Sequence, residues 1–335
     1  MPNFLFRTPG LRRVVVTVAA LVGAVALVGC GPPDPSPREL AGDRLLVLTT
    51  FTVVADMARV VGGEDVYVES ITKVGAEIHG YEPTPDDLRR AADADLILEN
   101  GLGLEAWFAD FTARLDVPHA TISTGVETIP IAGDDGSAPH EGSPVNPHAW
   151  MSPTVGAQYA LNIGRAFAAA DPAHAAAYER RAQAYADQLT ALADTLTESL
   201  AQIPEQARVL ATCEGAFSYL ARDAGLAEVY LWPVNAEQQA TPHRLEDAID
   251  AVRARDVPAV FCESTVSANA QKQVARESGA RYGGALYVDS LSAADGPVPT
   301  YLDLLRYDAQ LVVDGLTRTA TSDPTTSDST TPEGS

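Results

Sequence analysis

The sequence predicts an α/β protein of two parallel-sheet lobes joined by one long, rigid helix. Short β-branched runs alternate with helical stretches in both halves of the chain, the pattern of parallel strands with crossover helices. Between the two sets lies an apolar helical face of about 31 residues, roughly 47 Å at the helical rise. A chain of 335 residues also exceeds one ordinary domain, and 46% hydrophobic residues suffice for two sizeable cores.

In the first half, Leu45 to Phe51, Val66 to Thr72, Asp95 to Glu99 and Ala120 to Ser123 read as buried parallel strands. The second half repeats the theme with Arg208 to Thr212, Glu228 to Trp232, Ala259 to Glu263 and Ala285 to Asp289. The helix between them starts at Asp171, a good N-cap, with Pro172 in the first helical position, and stops at Pro204. Tyr178, Ala182, Tyr185, Leu189, Leu192, Leu196, Leu200 and Ile203 recur in steps of three and four and make one continuous face. A coiled coil or a core helix of one lobe would carry the same face. Its place between two complete α/β patterns favours a spine crossing both lobes. The expected division is a first lobe over 44–170, the spanning helix over 171–204 and a second lobe over 205–317.

The two ends read differently. Arg7, Arg12 and Arg13 precede a mostly apolar run from Val14 to Val28, too short to span a membrane comfortably and suited to a signal-peptide core. The run ends in Leu27-Val28-Gly29-Cys30, which resembles a bacterial lipobox. The resemblance implies that residues 1–29 are removed and that Cys30 is lipidated. Residues 30–43 then form a tether, read as extended because Gly31 to Gly42 carry four prolines. The tail over 318–335 is rich in Ser, Thr, Asp, Pro and Gly and is expected to be disordered. The expected location is outside the cytoplasmic membrane, lipid-anchored to its outer face.

The net charge of −22 grows more negative once the Arg-bearing leader is gone. Such a surface repels nucleic acid and concentrates cations, although acidity also serves plain solubility.

Two of the six histidines sit at loop-to-helix junctions. His79 lies in Glu77-Ile78-His79-Gly80-Tyr81-Glu82-Pro83-Thr84-Pro85. There Thr84 can cap a helix, with Pro85 and Asp87 in its first and third positions. His148 lies in Asn146-Pro147-His148-Ala149-Trp150-Met151-Ser152-Pro153. Either alone reads more readily as structural than as ligating. The second half offers Glu214, just past one strand, and Asp289, at the end of another. Ligands of open α/β sheets bind beyond the carboxyl ends of strands, so all four can face one crevice between the lobes. Lone carboxylates in such places are also common as helix caps.

Several segments together resemble the metal-binding receptors of ABC importers for manganese, zinc and iron. They are His79-Gly80-Tyr81-Glu82-Pro83, Pro147-His148-Ala149-Trp150, Glu214-Gly215-Ala216-Phe217-Ser218-Tyr219, Glu263-Ser264-Thr265-Val266-Ser267, Leu286-Tyr287-Val288-Asp289-Ser290-Leu291 and Thr300-Tyr301-Leu302. The match runs from about Arg44 to Gly315, in the family's order and spacing. It implies two α/β lobes on one rigid helix, with a single metal ion between them held by His79, His148, Glu214 and Asp289. It also implies ABC permease and ATPase subunits as partners, a monomeric receptor and no enzymatic activity.

Two imidazoles and two carboxylates suit Mn²⁺ or Fe²⁺ and accept Zn²⁺. Mn²⁺ is favoured over Fe²⁺ and Zn²⁺, because zinc-reading members tend to carry His where Glu214 stands. They often add a long loop of His and acid, whereas Ile131 to Pro144 holds only Asp134, Asp135, His140 and Glu141. His140 reads as a solvated loop residue, and His119, His174 and His243 receive no function. One departure is Asn146, where the family commonly has Asp. It keeps an acceptor for His148 and lacks the charge. A metalloenzyme could use two His and a carboxylate, but needs an open coordination position. A metal-stapled surface adhesin fits the lipobox but leaves the convergent ligands unexplained.

Cys213 and Cys262 both end strands of the second lobe and both precede a Glu. If those strands are neighbours, an exported protein could bridge them by a disulfide. Two buried free thiols are the alternative.

Overall fold

The computed structural model describes residues 35–112, 115–131, 140, 142–234 and 240–317. Cys30 and the leader, most of the loop around His140, and the tail over 318–335 lie outside these residues.

The segment read as an extended tether contains one helical turn, α1 (Pro37–Ala41). Ser36 and Glu39 make a reciprocal box around it. The Ser36 N–H donates to Glu39 Oε2 at 2.7 Å, and the Glu39 N–H donates to Ser36 Oγ at 3.3 Å. The proline content masks that Ser-x-x-Glu pattern.

The first lobe follows the alternating pattern. Its elements are β1 (Leu45–Thr49), α2 (Thr52–Gly62), β2 (Val66–Ser70), α3 (Pro85–Asp93), β3 (Leu96–Glu99), α4 (Ala106–Thr112) and β4 (His119–Thr121). The strands form one sheet in the order β2-β1-β3-β4, every pair parallel. Central strands β1 and β3 are almost wholly buried. Contrary to the buried strand expected near Ala120, β4 is a largely exposed strand at the edge of the sheet among the described residues. Thr84 and Asp87 form the capping box of α3 that their spacing predicts.

Helices α5 (Pro153–Ala170) and α6 (Ala175–Ala201) lead out of this lobe. Helix α6 is the long helix, 27 residues and so about 40 Å. Asp171 does not cap it. The chain turns once through Pro172–His174, and Asp171 Oδ2 instead meets His174 Nδ1 at 2.6 Å and the Tyr178 hydroxyl at 2.8 Å. The buried face of α6 is the expected one, from Tyr178 through Leu189 to Leu200. It packs along α5, against α2 of the first lobe, and against two helices of the second. Gly164 admits the closest approach, since a Cβ there would lie 2.6 Å from that of Ala182. Arg181 donates to the carbonyls of Val61 and Gly62 at 2.7 Å each, placing a cation on the negative end of α2.

The second lobe comprises β5 (Val209–Glu214), α7 (Ser218–Ala224), β6 (Ala227–Trp232), α8 (Pro242–Ala254), β7 (Ala259–Glu263), α9 (Asn269–Ser278), β8 (Arg281–Leu286) and α10 (Tyr301–Thr317). Strands β5 and β6 pair in parallel, as do β7 and β8. Strands β5 and β7 run side by side, and the Cys213–Cys262 disulfide joins them with Cα atoms 4.9 Å apart. The strand expected over Ala285 to Asp289 begins earlier and ends earlier, at Leu286. Gly283 and Gly284 weaken the local β pattern, yet the Phe261 ring needs the space a Cβ at Gly283 would fill. Helix α10 ties the lobes together at its start. The Tyr301 N–H donates to Asp56 on α2 at 2.8 Å, and its hydroxyl donates to the Trp150 carbonyl.

Candidate metal centre

His79 stands in the loop between β2 and α3, where the capped start of α3 fixes one end of the loop. Glu77 holds the other. Its carboxylate accepts the N–H groups of His79 at 2.7 Å and Gly80 at 3.0 Å. His148 stands before a single turn, Ala149–Met151, and α5. Asn146 repeats Glu77's arrangement: its Oδ1 accepts the N–H of the histidine two residues on, at 3.0 Å. Glu214 is the last residue of β5. The helix after it begins only at Ser218, with Phe217 as its N-cap, so Glu214 does not occupy a capping position. Asp289 lies three residues beyond β8, and its Oδ2 accepts from Thr265 Oγ1 at 3.3 Å.

The structure brings these four side chains together. His79 Nε2 and His148 Nε2 are 3.0 Å apart. Glu214 Oε1 lies 3.7 Å from the first and 3.9 Å from the second. Asp289 Oδ1 lies 3.9 Å from His148 Nε2. The N···O separations exceed hydrogen-bond length. They match the ligand-to-ligand edges of about 3–4 Å expected around one cation with donors about 2.1 Å away. Asp289 Oδ1 is buried with no hydrogen-bond partner among the described residues. His148, Glu214 and Asp289 side chains are 0–1% exposed, and His79 keeps 8%, so solvent reaches the cluster from the His79 side.

The electrostatics favour a cation. Burial lowers the pKa of His79, with the Glu77 charge opposing it. Burial, and then the neighbouring His79, press His148 well below the ordinary imidazole value. Both rings are therefore neutral and hold lone pairs for coordination. Burial, reinforced by the Glu77 charge, pushes Asp289 up to about 7. A buried carboxylate with no cation is costly, and a divalent ion removes that cost.

Two residues were overlooked as site residues in the sequence. One atom each of Glu77, His79 and Asp289 lie within 4.8 Å of one another. Glu263 accepts the Glu214 N–H at 3.2 Å, and burial raises it to about 8. The parallel Glu77-x-His79 and Asn146-x-His148 spacings were the available signal for Glu77. For Glu263, the matching Cys-Glu pairs were. The other histidines stand apart. His119 faces Glu99, His174 joins Asp171, and His243 lies beside Asp247.

Two parallel α/β lobes on a single long helix, with a buried cluster of nitrogen and oxygen donors, define a metal-binding substrate-binding protein of the ABC-transporter class. The chain belongs to the ZnuA family, described as zinc-uptake complex component A, periplasmic, whose model matches residues 47–315. It is similar to the iron-binding protein YfeA of Yersinia pestis, 47% identical over 90% of this chain and 94% of that protein. It is also similar to the manganese-binding lipoprotein MntA of Halalkalibacterium halodurans, 29% identical over 92% and 100%. Among solved structures, the Mn-bound periplasmic metal binding protein from Candidatus Liberibacter asiaticus matches with a TM-score of 0.75 and 37% identity, covering 82% of this chain and 100% of that one. The family consists of binding proteins, not enzymes.

Proposed function

We propose that the protein captures one divalent transition-metal ion outside the cytoplasmic membrane through His79, His148, Glu214 and Asp289, and delivers it to an ABC permease and ATPase. The observation that carries this reading is the convergence of four donor atoms from both lobes around the unpaired Asp289 Oδ1. Two carboxylates balance the ion's charge, and the neutral rings complete an N₂O₂ shell. The second Asp289 oxygen accepts from Thr265 and the Glu214 main chain is tied to Glu263, so the oxygen ligands are held in place before an ion arrives. The receptor acts as a monomer, tethered by lipid on Cys30.

The cargo is read as Mn²⁺ ahead of Fe²⁺ and Zn²⁺. Hard oxygen donors that can bind through one or both atoms support a coordination number above four. The manganese-binding relative and the Mn-bound structural neighbour support the same choice. Fe²⁺ is the second reading, supported by the 47% identity to an iron-binding protein. The test is metal analysis of protein purified without added metal, paired with competitive titration of Mn²⁺, Fe²⁺ and Zn²⁺. Stoichiometric Mn²⁺ is expected. Iron in its place would replace the metal assignment, and the absence of any tight divalent binding would overturn the whole reading.

A further inference from the structure

Buried Asn146 meets groups of fixed polarity from both lobes. Its Oδ1 lies 3.0 Å from the His148 backbone nitrogen and 3.0 Å from His148 Nδ1. Its Nδ2 lies 2.6 Å from the Gly215 carbonyl oxygen and 3.2 Å from Ser218 Oγ. A backbone N–H only donates and a backbone carbonyl only accepts. The two backbone contacts therefore fix the amide's orientation. Since Oδ1 faces the ring, His148 Nδ1 carries the proton and Nε2 keeps its lone pair. That Nε2 is the atom lying among His79, Glu214 and Asp289. On the other side, Gly215 directly follows Glu214. Its N–H donates to the carbonyls of Trp232 and Pro233, each at 3.0 Å. Tyr219, from the second lobe, donates to the Asn146 carbonyl at 2.8 Å.

We propose that Asn146 is a positioning residue that registers the two halves of the metal centre against each other. Its oxygen sets the tautomer of His148, and its nitrogen holds the Glu214–Gly215 turn in place. The inference rests on reading His148 and Glu214 as ligands. A carboxylate cannot do both jobs. Aspartate at this position keeps an acceptor for His148 but turns an oxygen towards the Gly215 carbonyl, acceptor against acceptor in a buried site. The two roles are therefore separable. Asn146→Asp removes the side chain's bond to the Gly215 carbonyl alone, and Asn146→Ala removes both side-chain roles, while the Tyr219 bond to the main-chain carbonyl stays in each.

The experiment compares wild type, Asn146→Asp, Asn146→Ala and His148→Ala by Mn²⁺ titration, apo melting and ¹⁵N NMR of the apo imidazoles. The His148 signals are identified by their absence from His148→Ala. In wild type, His148 should be the Nδ1–H tautomer. Asn146→Ala should shift it towards a mixture and weaken Mn²⁺ ten- to hundredfold, the usual cost of losing a ligand's hydrogen-bond partner. Asn146→Asp should keep the tautomer and still lose at least tenfold. An unchanged tautomer in Asn146→Ala overturns the proposal, whatever happens to affinity. Wild-type affinity in Asn146→Asp overturns the link to the second lobe. Wild-type affinity in His148→Ala sinks the ligand reading and this inference with it. Weak binding by His148→Ala alone sinks this inference only.

Discussion

Cys213 and Cys262 join two neighbouring strands of the second lobe by a disulfide, and each is followed directly by a glutamate of the metal region. Glu214 contributes an oxygen to the donor cluster, and Glu263 holds the Glu214 main chain. The bridge therefore anchors a carboxylate of the donor cluster as well as the fold. It closes a loop of 49 residues, for which loop-closure entropy gives about 4 kcal/mol. Replacing both cysteines by Ala is expected to lower apo stability by roughly that amount in denaturant titration and to weaken metal binding. Unchanged stability would show that the bridge constrains little in the unfolded chain.

Truncating either of two candidate ligands, one from each lobe, has a defined outcome. His79→Ala and Asp289→Ala are each expected to lower metal affinity at least tenfold, or about 1.4 kcal/mol. Metal should raise the melting temperature of wild type, because it binds the folded state alone. The double variant should show almost no such shift. A full shift in the double variant would place the ion elsewhere.

Glu214 is expected to govern which metal is preferred. Glu214→His makes three imidazoles and one carboxylate, a set suited to four-coordinate zinc. The Zn²⁺ to Mn²⁺ affinity ratio should move towards zinc by about tenfold or more, chiefly through lost Mn²⁺ binding. Parallel titrations measure it. An unchanged ratio would remove Glu214 from the ligand set.

Glu228 provides a test of pH dependence at a carboxyl outside the donor cluster, joined to Asn146 through Ser218. Its Oε2 accepts from Ser218 at 2.6 Å, its Oε1 is enclosed and unpartnered among the described residues, and burial pushes it up to about 7 from 4.5. The folded state then binds this proton more tightly than the unfolded chain. Stability from this group is complete below about pH 4.5 and is lost as pH rises through about 7. Glu228→Gln should remove that fall, making the apo protein more stable than wild type at pH 8 by on the order of 2 kcal/mol, since the residue keeps some surface. Melting curves across pH decide it, and parallel profiles would show that the carboxyl is ionised in the fold.

Lipidation at Cys30 is tested by intact mass and detergent partition. Wild type should enter the detergent phase, and Cys30→Ala should stay in the aqueous phase. Equal aqueous partition of both would exclude the anchor.

Local chemistry determined what the sequence by itself could say. The Thr84–Asp87 box and the apolar face from Tyr178 to Leu200 depend on residues a few positions apart, so their spacing alone predicts α3 and the buried side of α6. The loop contexts of His79 and His148 were legible for the same reason, and the resemblance of several ordered segments named the four candidate ligands. Tertiary structure decided the rest. The glycines of β8 look unlike a strand until the Phe261 ring packs over Gly283. Asp171 reads as a cap until His174 and Tyr178 take its carboxylate. His79 and His148 are 69 residues apart in the chain and 3.0 Å apart in the fold. Their closeness, and the grip of Asn146 on Gly215, depend on how two lobes pack about a shared helix, a long-range arrangement that no local window of residues encodes.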